Sequence, residues 1–169
     1  SQSPFMEGRC KDYTSFSYLD FNQLVPEAVR KRLEFSLFVN TTSSYILWND
    51  NGSFRCERMP WKAQLSPLTR IIIRDLNNDS LPDIITAGND YSWDLATGYL
   101  DGNKGLVLMN ETGRKEGKSN ASFRAVGSSE SGFLANGMAG SMLWMEGKNP
   151  LLVVGINRGK ALVYEPSAK

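Results

Sequence analysis

Histidine is absent from this chain of 169 residues. Its absence removes Ser-His-Asp and Cys-His nucleophiles, imidazole acid–base work and most zinc sites. Cysteine is nearly absent too. Cys10 and Cys56 can pair in an oxidising compartment or stand as two thiols, and their spacing decides neither. There is no excess of one charge: 19 Lys+Arg against 18 Asp+Glu leave a formal net charge of +1. That balance predicts no nucleic-acid partner and no acidic one. The basic clusters Arg30-Lys31-Arg32 and Arg114-Lys115 are short and read as solvated faces. No apolar run approaches the roughly 18–20 residues that span a bilayer, so no membrane span is expected. The opening Ser1-Gln2-Ser3-Pro4 has neither an initiator Met nor a signal pattern, as in a mature form or an excised piece.

What the chain does have is the run Asp75-Leu76-Asn77-Asn78-Asp79-Ser80-Leu81-Pro82-Asp83. It puts oxygen-bearing side chains at relative positions 1, 3, 5 and 9, between the apolar runs Ile71-Ile72-Ile73 and Ile84-Ile85. Calcium takes six to eight oxygen ligands, and alternate side chains on a tight loop can converge on one ion. The reading is a structural calcium loop between two strands. An EF-hand is excluded: position 6 is Ser80, position 12 is Thr86, and the flanks are β-branched rather than helical. A plain turn is the competing reading, because Asn and Asp hydrogen-bond their own backbone.

Residues 1–15 are polar and read as irregular. Helices are expected only within 16–35, with Asp20 as a cap, Pro26-Glu27 as a first turn, and Val25, Val29 and Leu33 recurring every four residues. From residue 36 the period becomes that of strands. Ser44–Trp48 and Phe54–Glu57 flank the hairpin signal Asn49-Asp50-Asn51-Gly52. Strands are then expected over 69–74, 83–87, 105–110, 122–126, 140–145, 151–155 and 161–164. The pattern predicts an all-β fold with a short helical insert over residues 1–35 and antiparallel blades of a partial β-propeller over 36–169. One blade is complete at about 69–126, two strands precede it and a three-stranded blade follows. A self-contained β-sandwich is the alternative. Trp48, Trp61 and Trp144 are expected in the packing between sheets. Asn40, Asn51, Asn78, Asn110 and Asn120 each open an Asn-x-Ser/Thr sequon, which matters only in a eukaryotic secreted protein.

The acidic loop, followed by Ile84-Ile85, resembles the repeat hallmark D-x-[DN]-x-D-G-x-x-D of FG-GAP/VCBS-repeat β-propellers, especially ASPIC/UnbV-like extracellular bacterial proteins. Ala63-Gln64-Leu65-Ser66-Pro67 resembles the segment preceding that loop. Gly88-Asn89-Asp90-Tyr91, Thr97-Gly98-Tyr99-Leu100-Asp101 and Gly105-Leu106-Val107-Leu108 are similar to the family's long blade excursion. Ser129-Glu130-Ser131-Gly132-Phe133 and Asn157-Arg158-Gly159 are similar to its terminal blade. The resemblance covers roughly residues 40–165. It implies a C-terminal propeller portion, extracellular or at the cell surface, with calcium held by Asp75, Asn77, Asp79, the Leu81 carbonyl and Asp83. Two positions depart from the family: Ser80 replaces Gly, and Gly98-Tyr99-Leu100-Asp101 replaces Gly-Arg-Tyr-Asp.

The function expected is therefore non-catalytic: a calcium-stabilised segment presenting a surface to a protein or glycan. Asp90, Tyr91, Trp93, Asp94, Tyr99 and Asp101 are its candidate contact residues. One alternative is an assembly module that completes its propeller with another chain. The other is a glycan-active enzyme using carboxylates among Asp90, Asp94 and Asp101.

Overall fold

The computed structural model describes residues 10, 12–32, 39–93, 98–113 and 122–166. Contacts divide the chain into two units, Ser1–Thr42 and Ser43–Lys169.

In the first unit the described residues form three short helices: α1 (Tyr13–Ser17), α2 (Phe21–Leu24) and α3 (Glu27–Arg30). Asp12 caps α1 by accepting from the Ser15 N–H at 2.6 Å. Asp20 and Gln23 make a reciprocal capping box at the start of α2, each bond 2.9 Å. Pro26 ends that helix and opens the next, as expected of a residue that lacks an N–H donor. The four-residue recurrence does not produce one continuous helix. Val25 is extended at the end of α2, Val29 is exposed and Leu33 lies outside the described residues. α1 also begins before the expected helical region, because Asp12 supplies a cap there.

The second unit is antiparallel β-structure. β1 (Tyr45–Asp50) and β2 (Ser53–Arg58) form a hairpin. Its turn residues Asn51 and Gly52 have φ of +53° and +93°, the hand that matches strand twist. The Gly52 N–H donates to Asn49 Oδ1 at 2.9 Å. β3 (Leu68–Arg74), β4 (Asp83–Gly88), β5 (Leu106–Asn110) and β6 (Phe123–Val126) pair in sequence order in a four-stranded sheet. β7 (Ala139–Met145), β8 (Leu151–Ile156) and β9 (Ala161–Tyr164) form a three-stranded sheet. The sheets thus hold two, four and three strands, as the spacing predicted. Two helical turns fall among the strands where none was expected: a 3-10 turn at Trp61–Gln64 and α4 (Ser128–Ser131).

Every residue of β4 is buried, because the four-stranded sheet is covered on both faces. On one face Ile85, Ala87, Val107 and Val126 meet Leu152 and Val154 of the three-stranded sheet, with Phe133 and Ala139. On the other, Ile84, Leu106, Leu108 and Phe123 meet Met59 and Ala63, with Ile46 and Trp48 of β1 packed against them. The period-two alternation of β4 and β5 feeds both cores. Trp48 stacks on Phe123 with ring centroids 6.0 Å apart, and Trp144 packs against the first core. Trp61 does not join the packing: it is 69 % exposed. No helix among the described residues is long and apolar enough to cross a membrane.

Candidate functional site

The acidic loop joins β3 to β4 and turns twice through positive φ, at Asn78 (+59°) and Ser80 (+68°). Ser80 therefore adopts the conformation that glycine would take without steric cost. The loop's carboxylates are wired to its own backbone. Asp75 Oδ1 accepts from the Asp79 N–H at 3.1 Å and Oδ2 from the Ser80 N–H at 2.8 Å. Asn77 Oδ1 accepts from the Asp79 N–H at 3.2 Å, and its Nδ2 donates to Asp79 Oδ2 at 2.7 Å. Asp79 Oδ1 accepts from the Leu81 N–H at 2.7 Å.

Asp83 is different. It is fully buried at the first position of β4. Its Oδ2 accepts from the Leu76 N–H at 2.9 Å and its Oδ1 from the Asn110 N–H at 2.8 Å. One carboxylate thus ties the loop's entry to the end of β5. Asn110 is also buried and donates from Nδ2 to the Pro82 carbonyl at 3.1 Å. That nitrogen is the atom a glycan would take, so the Asn110 sequon is closed.

Asp75, Asn77, Asp79 and Asp83 lie in one loop, but Asp83 faces the interior while Asp75 and Asn77 are exposed. Among the described residues no three His, Cys, Asp or Glu side chains are gathered in the way that holds a metal ion. A hard cation is nevertheless matched by the chemistry of the donors, which are all oxygen. Each carboxylate oxygen that accepts one N–H also keeps a second lone pair. The residues that would hold calcium are Asp75, Asn77, Asp79 and Asp83 with the Leu81 carbonyl.

The second predicted cluster is partly assembled. Asp90 and Leu100 form a two-way backbone bridge, 2.9 Å in each direction, that closes the excursion at its base. Tyr91 and Tyr99, the residues next inside that bridge, bring their rings together with centroids 4.7 Å apart. Trp93 Nε1 donates to Asp90 Oδ2 at 3.2 Å. The Ser92 hydroxyl and N–H hold the Asp90 carboxyl below the usual carboxylate range. Asp90 is accordingly committed to its own turn, whereas Tyr91, Trp93 and Tyr99 are 37 %, 51 % and 64 % exposed. Asp101 is exposed. Asp94 lies outside the described residues.

Sequence reasoning missed a buried polar hub under this excursion. Asn89 is 1 % exposed at φ +73°. Its Oδ1 accepts from Ser66 Oγ at 3.0 Å and the Asn103 N–H at 2.8 Å, and its Nδ2 donates to the Gly137 carbonyl at 3.1 Å. The signal was the Gly88-Asn89 pair, since Asn tolerates the left-handed region. Its partners are 14 to 48 residues away, which no local pattern reveals. Glu57 is a comparable pin. Its carboxylate accepts from the Ser122 N–H at 2.6 Å, Ser122 Oγ at 2.8 Å and Trp48 Nε1 at 2.9 Å, tying the hairpin to β6.

Comparison with protein-family models, with curated proteins and with solved structures found no match.

Proposed function

We propose that this chain is a non-catalytic, extracellular segment of a calcium-binding β-propeller, whose metal loop fixes a blade and whose aromatic excursion presents a surface to a protein or glycan. The observation that carries this reading is the β3–β4 loop. Its all-oxygen donor set is held at the sharp turn of a four-stranded antiparallel sheet, with Ser80 taking the glycine-like conformation. The sheet arrangement supports the propeller part: four strands in sequence order, with a partial sheet on each face. Tyr91, Trp93 and Tyr99 support the surface part, since exposed aromatic rings stack on sugar faces and anchor protein interfaces.

Calcium would act here without chemistry. The carboxylates of Asp75 and Asp79 repel one another within a short loop, and the backbone N–H groups they accept offset only part of that charge. A divalent cation would offset the remainder and stiffen the turn. Extracellular calcium modules bind at about 10⁻⁴–10⁻³ M. At about 10 mM calcium, linkage then stabilises the fold by about 1–3 kcal/mol. The test is the thermal midpoint in millimolar calcium against excess chelator, with Asp79→Ala as control. A rise of several degrees that the variant abolishes supports the reading. An unchanged midpoint with cooperative melting makes the loop a turn and nothing more.

An assembly module is the second reading, and one observation favours it. On β3, Ile71 and Ile73 are 54 % and 57 % exposed. They lie on the sheet face whose remainder is covered by β1, Met59 and Ala63.

A further inference from the structure

Two Asn-Gly pairs occur in the chain, Asn51-Gly52 and Asn136-Gly137. The first closes the β1–β2 hairpin, and its Gly52 N–H donates to Asn49 Oδ1 at 2.9 Å. The second lies in the segment that leads from α4 into β7, outside any helix or strand. Gly137 is fixed by the fold: its φ is +104°, and a Cβ there would stand 2.8 Å from Ile156 Cγ2. Asn136 is fixed by nothing comparable. Its side chain is exposed. Among the described residues, neither its amide nor the Gly137 N–H has a hydrogen-bond partner.

The segment around this pair is tied down on both sides. The Ala135 N–H donates to the Lys104 carbonyl at 2.7 Å, and the Met138 carbonyl accepts from the Asn157 N–H at 2.8 Å. Between them the Gly137 carbonyl accepts from Asn89 Nδ2 at 3.1 Å, the bond that links the buried hub to this segment. Phe133, Ala135 and Ala139 are buried in the core between the two sheets.

We propose that Asn136 is a site of spontaneous covalent modification, deamidation through a cyclic imide, and that the modification unties this segment from the Asn89 hub. The Gly137 nitrogen loses its proton and attacks Asn136 Cγ. An N–Cγ bond forms, the Cγ–Nδ2 bond breaks, and Nδ2 leaves as ammonia. Water, the only co-reactant, then opens the imide, and nothing is oxidised or reduced. Attack at the carbonyl that came from the side chain gives aspartate. Attack at the main-chain carbonyl gives isoaspartate, whose backbone runs through Cβ and Cγ. Isoaspartate thus inserts one carbon, about 1.5 Å of chain, between residues pinned on either side. A bond of 3.1 Å does not survive a displacement of that size. Asn89, only 1 % exposed, is then left with a buried donor and no acceptor.

Asn51 has the same glycine after it but a nitrogen already engaged. Giving up that bond before attack slows the step by about tenfold. Other asparagines fail for separate reasons. Asn89, Asn103 and Asn110 are buried. Asn149 precedes Pro150, which has no N–H to lose. The residues after Asn22 and Asn78 spend their N–H groups on Asp20 and Asp75.

The test ages the full chain in warm, mildly alkaline buffer and maps its peptides over time. Isoaspartate is read by enzymatic methylation of its free carboxyl. The Asn136 peptide is expected to convert about tenfold faster than the Asn51 peptide. The two should convert alike in denaturant, and Asn49→Ala, which frees the Gly52 N–H, should bring Asn51 up to the rate of Asn136. Equal rates in the folded chain overturn the assignment, as does a preference that persists in denaturant. Aged wild type should melt several degrees lower. Aged Asn136→Gln, which would have to close a larger and slower ring, should keep its midpoint. Fresh Asn136→Asp carries the new charge without the extra backbone atom and should melt as fresh wild type does. An unchanged midpoint in fully converted wild type would overturn the untying of the hub.

Discussion

Replacing Asp83 by Ala is expected to cost far more stability than replacing any other acid of the loop. The side chain is fully buried and receives two backbone N–H groups, Leu76 at 2.9 Å and Asn110 at 2.8 Å. Alanine supplies no acceptor, and water has little access to the first residue of a strand that is buried throughout. Each buried donor left unsatisfied costs about 1–3 kcal/mol, so the pair sums to about 4 kcal/mol. For a chain of this size that lowers the melting midpoint by about 8–16 °C. Asp75→Ala removes the same number of N–H bonds, but in an exposed loop where water replaces the carboxylate. Its cost is about 0.5–1.5 kcal/mol.

The assay is thermal and urea unfolding in excess chelator, so that no bound ion contributes to either variant. Asp83→Asn belongs in the series. It keeps one acceptor oxygen but turns an NH₂ toward the other N–H, so it falls between wild type and alanine. Equal losses for Asp83→Ala and Asp75→Ala would refute the argument. They would mean that the Leu76 and Asn110 donors find other partners, and that the carboxylate is not the tie between loop and β5.

Three further outcomes follow from the same geometry. Burial is the largest influence on the Glu57 carboxyl and raises its pKa, but the bonds from Ser122, Trp48 and Arg55 together outweigh it and leave the folded pKa below 4.5. A depressed folded pKa stabilises above the unfolded value and is lost as pH falls through the folded one. Glu57→Gln should therefore destabilise by about 1–3 kcal/mol at pH 7, with the gap to wild type narrowing below about pH 4.5 in melting curves. Gly88→Ala should abolish cooperative melting, because the new Cβ would stand 1.7 Å from the Pro67 carbonyl oxygen. Gly147→Ala, whose nearest neighbour is 4.0 Å away, should melt as wild type does. Ser80→Gly should raise the midpoint in chelator by a few degrees, since relieving a left-handed non-glycine residue recovers about 1 kcal/mol; an unchanged midpoint would show that the turn is not strained.

Strand positions were legible because each one alternates or runs apolar between Gly/Asn turns, and successive strands pair in order. Asn51-Gly52 gave the tightest turn for a local reason, its two positive φ angles. Helix ends were legible at Asp20 and Pro26, where one residue decides the outcome. Long-range ties were not. Nothing near Glu57 in sequence announces Ser122, 65 residues on, and nothing near Asn89 announces Gly137. Trp61 was misplaced for a related reason. Its bulk suggests a core, but the 3-10 turn it opens buries Ala63 instead and leaves the indole in solvent.

The loop illustrates why spacing alone could not separate a metal site from a turn. Asp75 and Asp79 use their oxygens to hold the loop's own N–H groups, which is what a turn requires and also what pre-shapes a ring of oxygens. Asp83 is bound into the sheet by contacts that need no ion. The acidic spacing therefore encodes two separable tasks. Position 9 anchors the loop to β5 through bonds that need no cation, while positions 1, 3 and 5 hold the turn itself and, under the proposed reading, supply the exposed oxygens a cation would meet. Loss of metal affinity in such a loop would leave the fold standing so long as position 9 kept its carboxylate. Loss of position 9 would instead release the loop's entry at Leu76 from the end of β5 at Asn110.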